Sequence, residues 1–166
     1  MKKFAILVAS SIALFSAQAA NATTYSPTGT WTWVGNVQVQ KGTGPLLTCR
    51  LTVNATVTAT SATATASLGL GDIRCLTVSL QGAPYSVTHN PGPPETLTIN
   101  GVYADTTITA GDCAGNITAV FNDTGATPVD ALVVSATLPE VTAGTGNCTI
   151  NGTLLKTAPA GAITVS

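Results

Sequence analysis

The feature that most constrains this chain is a run of strict alternation. Leu51, Val53, Ala55, Val57 and Ala59 share one parity, and Thr52, Asn54, Thr56, Thr58 and Thr60 share the other. A period of two puts one set on a buried sheet face and the other in solvent. An amphipathic helix repeats its apolar positions every three or four residues and does not fit. At Thr60-Ser61 the phase slips, and Ala62, Ala64, Ala66 and Leu68 carry the apolar face onward. An uncorrected slip would turn the core face to solvent, so a turn or bulge belongs there. Trp31, Trp33, Val37 and Val39 repeat the pattern against Thr32, Asn36, Gln38 and Gln40.

Further strands are expected at 76–80, 84–89, 96–103, 116–121, 131–138, 147–155 and 161–165, where Thr, Val and Ile are common. Gly42-Thr43-Gly44-Pro45, Asn90-Pro91-Gly92-Pro93-Pro94 and Ala143-Gly144-Thr145-Gly146 carry turn chemistry between them. Asn100-Gly101 and Asn151-Gly152 read as hairpin turns or, since both sit inside β-like runs, as bulges. No window carries a convincing helical stripe, and Pro128 to Val134 offers one helical turn at most. Many short strands with no helices between them predict an all-β fold: an antiparallel β-sandwich, jelly-roll-like, as a single domain over 31–166. Residues 20–30 are expected to be a flexible leader.

The chain start reads as an export signal. Met1-Lys2-Lys3 is basic, Phe4 to Phe15 is apolar except for Ser10 and Ser11, and Ala17-Gln18-Ala19 fits a cleavage site. That apolar run is too short for the roughly 20 residues of a spanning helix. The expected product is a secreted, extracellular or cell-surface bacterial protein, with no membrane span, beginning near Ala20. Export sets the redox compartment. Cys49, Cys75, Cys113 and Cys148 are 26, 38 and 35 residues apart, without the close spacing of a zinc site. An even count in an exported chain reads as two disulfides. Three pairings are open, and the favoured one follows sequence order, Cys49–Cys75 and Cys113–Cys148.

Charge and residue type then exclude functions. Without 1–19 the chain keeps 4 of its 6 Lys and Arg and all 7 acids, a net charge of 4 − 7 = −3. So few cations leave no footprint for nucleic acid. One histidine, His89, reads as an exposed residue at a strand end. Asp72, Asp105, Asp112, Asp123, Asp130 and Glu140 are scattered singly, without a paired-carboxylate motif. Gly111-Asp112-Cys113-Ala114-Gly115-Asn116 and Asn122-Asp123-Thr124-Gly125 lack the acidic density of a calcium loop and read as turns. The reading is therefore not an enzyme, with no catalytic, metal or cofactor-binding residue. The chain has 30 Thr. If Thr and Ser fill the outer faces, the surface is uncharged and rich in hydroxyls and methyls. That suits contact with other copies, matrix components or an oil–water interface. Trp31, Trp33, Val37 and Val39 read first as an ordinary core strand. Their place near the mature N-terminus also makes them candidates for strand addition and assembly.

The order of several motifs carries a resemblance. They are Leu46-Leu47-Thr48-Cys49 leading into the Thr/Ala-rich strand, Cys75-Leu76-Thr77-Val78, Gly82-Ala83-Pro84-Tyr85-Ser86-Val87, Thr96-Leu97-Thr98-Ile99-Asn100-Gly101-Val102, Cys113-Ala114-Gly115-Asn116-Ile117-Thr118-Ala119 and Asn147-Cys148-Thr149-Ile150-Asn151-Gly152-Thr153-Leu154. From about Pro27 to Val165 the chain resembles the small secreted protein activators of alkane oxidation, PraA/PraB-like. The segment Thr30 to Gln40, with its two Trp residues, is less typical of them. The resemblance implies a non-enzymatic extracellular protein that aids growth on long-chain alkanes at the cell surface or in biofilm matrix. It carries over no catalytic residue. A secreted protein does not readily reach a cytoplasmic or inner-membrane hydroxylase, so adhesion or action at the oil–water boundary is the expected role. The alternative is a fibre- or pilus-like subunit that polymerises through its N-terminal strand.

Overall fold

The computed structural model describes residues 22–69, 71–107, 109–122, 130–144 and 146–166. The expected export signal at 1–19, the Asp123-Thr124-Gly125 turn and Pro128-Val129 lie outside the described residues. The strands are β1 (Tyr25–Ser26), β2 (Gly29–Lys41), β3 (Leu47–Val57), β4 (Ala62–Gly69), β5 (Val78–Gln81), β6 (Tyr85–Asn90), β7 (Thr96–Thr106), β8 (Cys113–Asn122), β9 (Ala131–Leu138), β10 (Cys148–Ala158) and β11 (Thr164–Val165). A short 3-10 turn, Ile73–Thr77, precedes β5. No helix among the described residues is long and apolar enough to cross a membrane.

The all-β expectation holds, but the architecture is a barrel, not a sandwich or jelly roll. Antiparallel pairing runs β7–β6–β4–β3–β2–β10–β9–β8 and returns from β8 to β7. The physical reason is that β7 has partners on both sides, so the sheet closes on itself instead of splitting into two layers. Eight strands make a ring whose interior side chains can just fill. A sandwich and a barrel both require the same in–out alternation, so the sequence pattern is common to them.

Two irregularities allow closure. β5 and β6 lie end to end along β7, with Gln81 opposite Tyr103 and Val87 opposite Ile99. The sums of these paired numbers are 184 and 186, so the stave gains two residues at Gly82-Ala83-Pro84. On the other side of β7 the register with β8 shifts between Ile99 and Val102. Gly101 sits there at φ 72°, a left-handed conformation that favours glycine in a bulge. Asn100-Gly101 is thus a bulge inside a strand. The slip at Thr60-Ser61 is a turn, since Val57 pairs with Ala62.

The buried set is the alternating one. Trp31 and Trp33 on β2 point inward and are essentially fully buried. Trp31 lies opposite Ala55, and Ala55 opposite Ala64. The small residues of β3 and β4 thus give the indoles room, which is why the Thr/Ala-rich strands face the Trp pair. The interior spaces measure about 30 and 20 Å³. That is an order of magnitude below the roughly 300 Å³ at which small-molecule sites begin. The outer face carries hydroxyls and amides: Thr32 Oγ1 donates to Asn54 Oδ1 at 2.9 Å, and Thr98 and Thr118 hydroxyls meet at 3.0 Å. Apolar inside and polar outside is the reverse of a transmembrane barrel.

The segment expected as a leader is partly built in. Tyr25 and Ser26 pair with Val165 and Thr164 across one end of the barrel, and Tyr25 is buried. Strand pairing thus starts at Tyr25, before the boundary expected at residue 31.

Candidate functional site

The barrel has two unlike ends. At the terminal end β1 and β11 pair, and Ile163 and Val165 are buried. The opposite end holds both disulfides, Cys49–Cys75 and Cys113–Cys148. Cys49, Cys113 and Cys148 lie at or near the first residues of β3, β8 and β10. Cys75 lies in the 3-10 turn. The first bridge pins that turn against β3, where Asp72 N–H also donates to Thr48 O at 2.8 Å. The second bridge ties β8 to β10 across the intervening β9.

Hydrogen bonds weld the remaining loops of this end into one rim. Lys41 Nζ donates to Glu140 Oε1 and to Gly146 O, both at 3.0 Å. Val141 N–H donates to Asp112 O at 2.9 Å. Asp112 Oδ2 accepts from Tyr103 OH at 2.6 Å and from Thr142 Oγ1 at 3.2 Å. The Asp72 carboxylate accepts from the backbone and guanidinium of Arg74. Each of these charges therefore has a local partner.

The acids of the rim are held ionised. The Arg74 guanidinium bonded to Asp72 is the main cause lowering its pKa to about 2. The Tyr103 hydroxyl is the main cause lowering Asp112, against an opposing desolvation. Glu140 is lowered first by the Gly146 backbone N–H and then by Lys41.

Beside the exposed Arg74, the rim presents four large apolar side chains to solvent. Ile73 is 70% exposed, Leu76 59%, Val141 54% and Leu46 52%. Ile73 and Leu76 project from the turn that Cys75 anchors, and Leu46 precedes Leu47 and Cys49 on the same side of the fold. A covalently pinned turn cannot fold these side chains away by local collapse. All four lie at the disulfide-bearing end of the barrel, and Ile73 and Leu76 share one turn; exposed apolar groups mark an interaction surface where they adjoin.

Of the residues named from the sequence, the four cysteines and Asp72, Asp112 and Glu140 lie at this end; others fall elsewhere. Trp31, Trp33, Val37 and Val39 line the barrel core, and β2 is paired on both edges, with β3 and β10. Trp31 Nε1 donates to Pro27 O and Trp33 Nε1 to Asp130 O, both at 2.7 Å. His89 is not exposed as expected. It is buried, with Nε2 2.7 Å from Glu95 Oε1. The Pro-rich loop between them brings the two back together. Asp130 is fully buried and meets Lys156 Nζ. Asn116 Oδ1 accepts from Gly101 N–H, away from Asp112, so these two oxygens do not share a loop site. The rim itself escaped the sequence reading: Leu76, expected to open a strand over 76–80, lies instead in the 3-10 turn Ile73–Thr77, with β5 starting at Val78, and Leu46, Ile73 and Val141 sit in or beside loops. The adjacency of Ile73 and Leu76 to a cysteine was the available signal.

Comparison with curated proteins gives no match, and comparison with solved structures gives none. One family model matches, described as alkane oxidation protein activator PraA/PraB-like, over residues 1–165. With that match covering nearly its whole length, the chain belongs to the PraA/PraB-like family of alkane oxidation protein activators.

Proposed function

We propose that this protein is a secreted, non-enzymatic protein of the cell surface or biofilm matrix that promotes growth on long-chain alkanes at the oil–water boundary. The disulfide-bearing rim is the face that meets hydrocarbon. The observation that carries this reading is the exposure of Ile73 and Leu76 on a turn held by Cys49–Cys75. The filled interior supports action at a surface, since spaces of about 30 Å³ take a water molecule and not an alkane chain. The paired rim charges lower the penalty of bringing that face to oil, because fewer free ions need be desolvated.

The magnitude suits reversible attachment. Fully burying an Ile or Leu side chain is worth about 1.5–3 kcal/mol. Four half-exposed side chains supply a few kcal/mol once orientation is subtracted.

The test is oxidative footprinting of the protein with and without hexadecane droplets. The expected result is protection of Leu46, Ile73, Leu76 and Val141 with the barrel walls unchanged. Protection spread evenly over the walls would overturn the reading. Polymerisation through β2 is the second reading. It requires breaking both ladders of β2 and exposing Trp31 and Trp33, which is why it ranks behind.

A further inference from the structure

Polar groups that the fold leaves unused gather at one place on the outer wall. Lys41, Arg50, Arg74 and Lys156 are the Lys and Arg of the described residues. Lys41 meets Glu140, Arg74 meets Asp72 and Lys156 meets Asp130. Arg50 is exposed and has no carboxylate partner among the described residues. The side-chain amides divide in the same way. Those of Gln40, Asn54, Gln81, Asn100, Asn116 and Asn147 bond to other groups of the protein. Those of Asn36 and Gln38 are exposed and have no such bond among the described residues.

These three side chains adjoin. Asn36 lies directly opposite Arg50, and Gln38 lies between Thr48 on β3 and Asn151 on β10. All face outward, because the alternate residues Val37, Cys49 and Ile150 are buried. Side chains directly opposite across antiparallel strands stand about 5 Å apart at Cβ. Arg50 therefore stands at the edge of an open groove of about 380 Å³ lined by Asn36, Gln38, Thr48, Asn151 and Gly152 among others. That volume reaches the roughly 300 Å³ at which small-molecule sites begin, and the interior spaces do not. A Cβ at Gly152 would stand 2.6 Å from Asn36 O, and one at Gly35 2.2 Å from Thr153 O. Glycine at both positions lets β2 and β10 close up, and the wall bends beneath the groove.

We propose that this groove binds an acidic polysaccharide, with a uronate carboxylate on Arg50 and sugar hydroxyls on Asn36, Gln38, Thr48 and Asn151. A guanidinium takes a carboxylate in a bidentate pair. An amide presents an acceptor oxygen beside its donor hydrogens, and a hydroxyl both donates and accepts. Ser135 Oγ donates to Asn151 Oδ1 at 3.0 Å, which leaves the Asn151 amide hydrogens for the ligand. A bare polyanion offers acceptors only and leaves the Asn36 and Gln38 oxygens unused. A single cation is too few to hold nucleic acid. The groove lies on the wall strands β2, β3 and β10, so its ligand does not depend on what the rim meets.

The test is a heteronuclear NMR titration of the mature, oxidised chain with hexamers of galacturonate, mannuronate and guluronate. Their methyl esters, which keep the ring hydroxyls and lose the charge, are titrated beside them. The expected result is a saturable shift of the Asn36, Gln38 and Asn151 side-chain signals with at least one acid hexamer, and binding of its ester weaker by about tenfold or more. Arg50→Gln, at an exposed side chain, should melt as the parent does. It should weaken the acid hexamer by about tenfold and leave the ester unchanged. Arg74→Gln removes a cation that is already paired and should change neither. No saturable shift at these residues with any acid hexamer overturns the proposal. Equal binding of acid and ester, or equal loss in the two arginine variants, overturns it as well. Polyphosphate that shifts the same signals with equal affinity would mark a site for any anion and overturn the saccharide assignment.

Discussion

Lys156 Nζ meets the carboxylate of Asp130 across β10 and β9, two residues beyond the Leu154–Leu132 pair. Both side chains are largely or fully buried, and Asp130 Oδ2 also accepts from Ile163 N–H at 3.3 Å. Lys156 Nζ reaches Gly161 O as well. The pair thus fastens the segment leading into β11 to the barrel.

Removing one member leaves the other charge buried and uncompensated, which costs about 3–5 kcal/mol. Asp130→Ala is expected to lose that much in denaturant unfolding with disulfides intact. Asp130→Asn with Lys156→Met, which keeps a residue tolerant of the φ of 58° at this position, is expected to recover most of it. A double variant as unstable as the single one would show that the loss is packing and not charge.

The two disulfides are expected to differ in what their removal loosens. Each closes a long loop, and loss of one native bridge in a small domain costs about 2–5 kcal/mol. Cys113→Ala with Cys148→Ala unties β8 from β10 and should lower global stability. Cys49→Ala with Cys75→Ala should show its largest increase in hydrogen exchange over residues 71–77. Equal exchange profiles for the two variants would contradict this division.

Acid should loosen the disulfide end first. Asp72, Asp112 and Glu140 all have pKa values lowered in the folded chain, Asp72 to about 2. Unfolded carboxylates titrate near 4. A lowered folded pKa contributes stability above the unfolded value, and that contribution is lost as pH falls through the folded one. Hydrogen exchange around 71–77 and 139–144 is therefore expected to rise between about pH 4 and pH 2, ahead of the terminal end. Asp112→Asn with Glu140→Gln should flatten the pH profile over 139–144 and leave that over 71–77, which Asp72 sets. An unchanged profile in that variant would contradict the assignment.

Much of the fold was legible because alternation fixes which side chains are inside. The run from Leu51 to Val57 gave β3 and its buried face, and the slip at Thr60-Ser61 gave the turn. Closure was not legible. It rests on β7 taking partners on both sides and on the two-residue offset at Gly82-Ala83-Pro84, and pairing partners leave no local trace. His89 looked exposed because its partner Glu95 lies beyond a Pro-rich loop. Tyr25 looked like leader because a two-residue strand has no period to read. The rim depends on loops that converge only once the barrel is closed. Leu46, Ile73, Leu76 and Val141 are single apolar residues, and single ones signal nothing until they share a face.

The central claim is that the rim is the hydrocarbon-binding face. Its most direct test is the adsorption isotherm on hexadecane droplets for Ile73→Ser with Leu76→Ser, beside Val133→Ser with Leu155→Ser. The second pair is also exposed, at 37% and 48%, but lies on the barrel wall strands β9 and β10. Losing two half-exposed apolar side chains is expected to weaken adsorption by about tenfold or more. The wall variant should stay within about twofold of the parent, and both should melt as the parent does. Equal loss in the two variants, or no loss in the rim variant, would contradict the account.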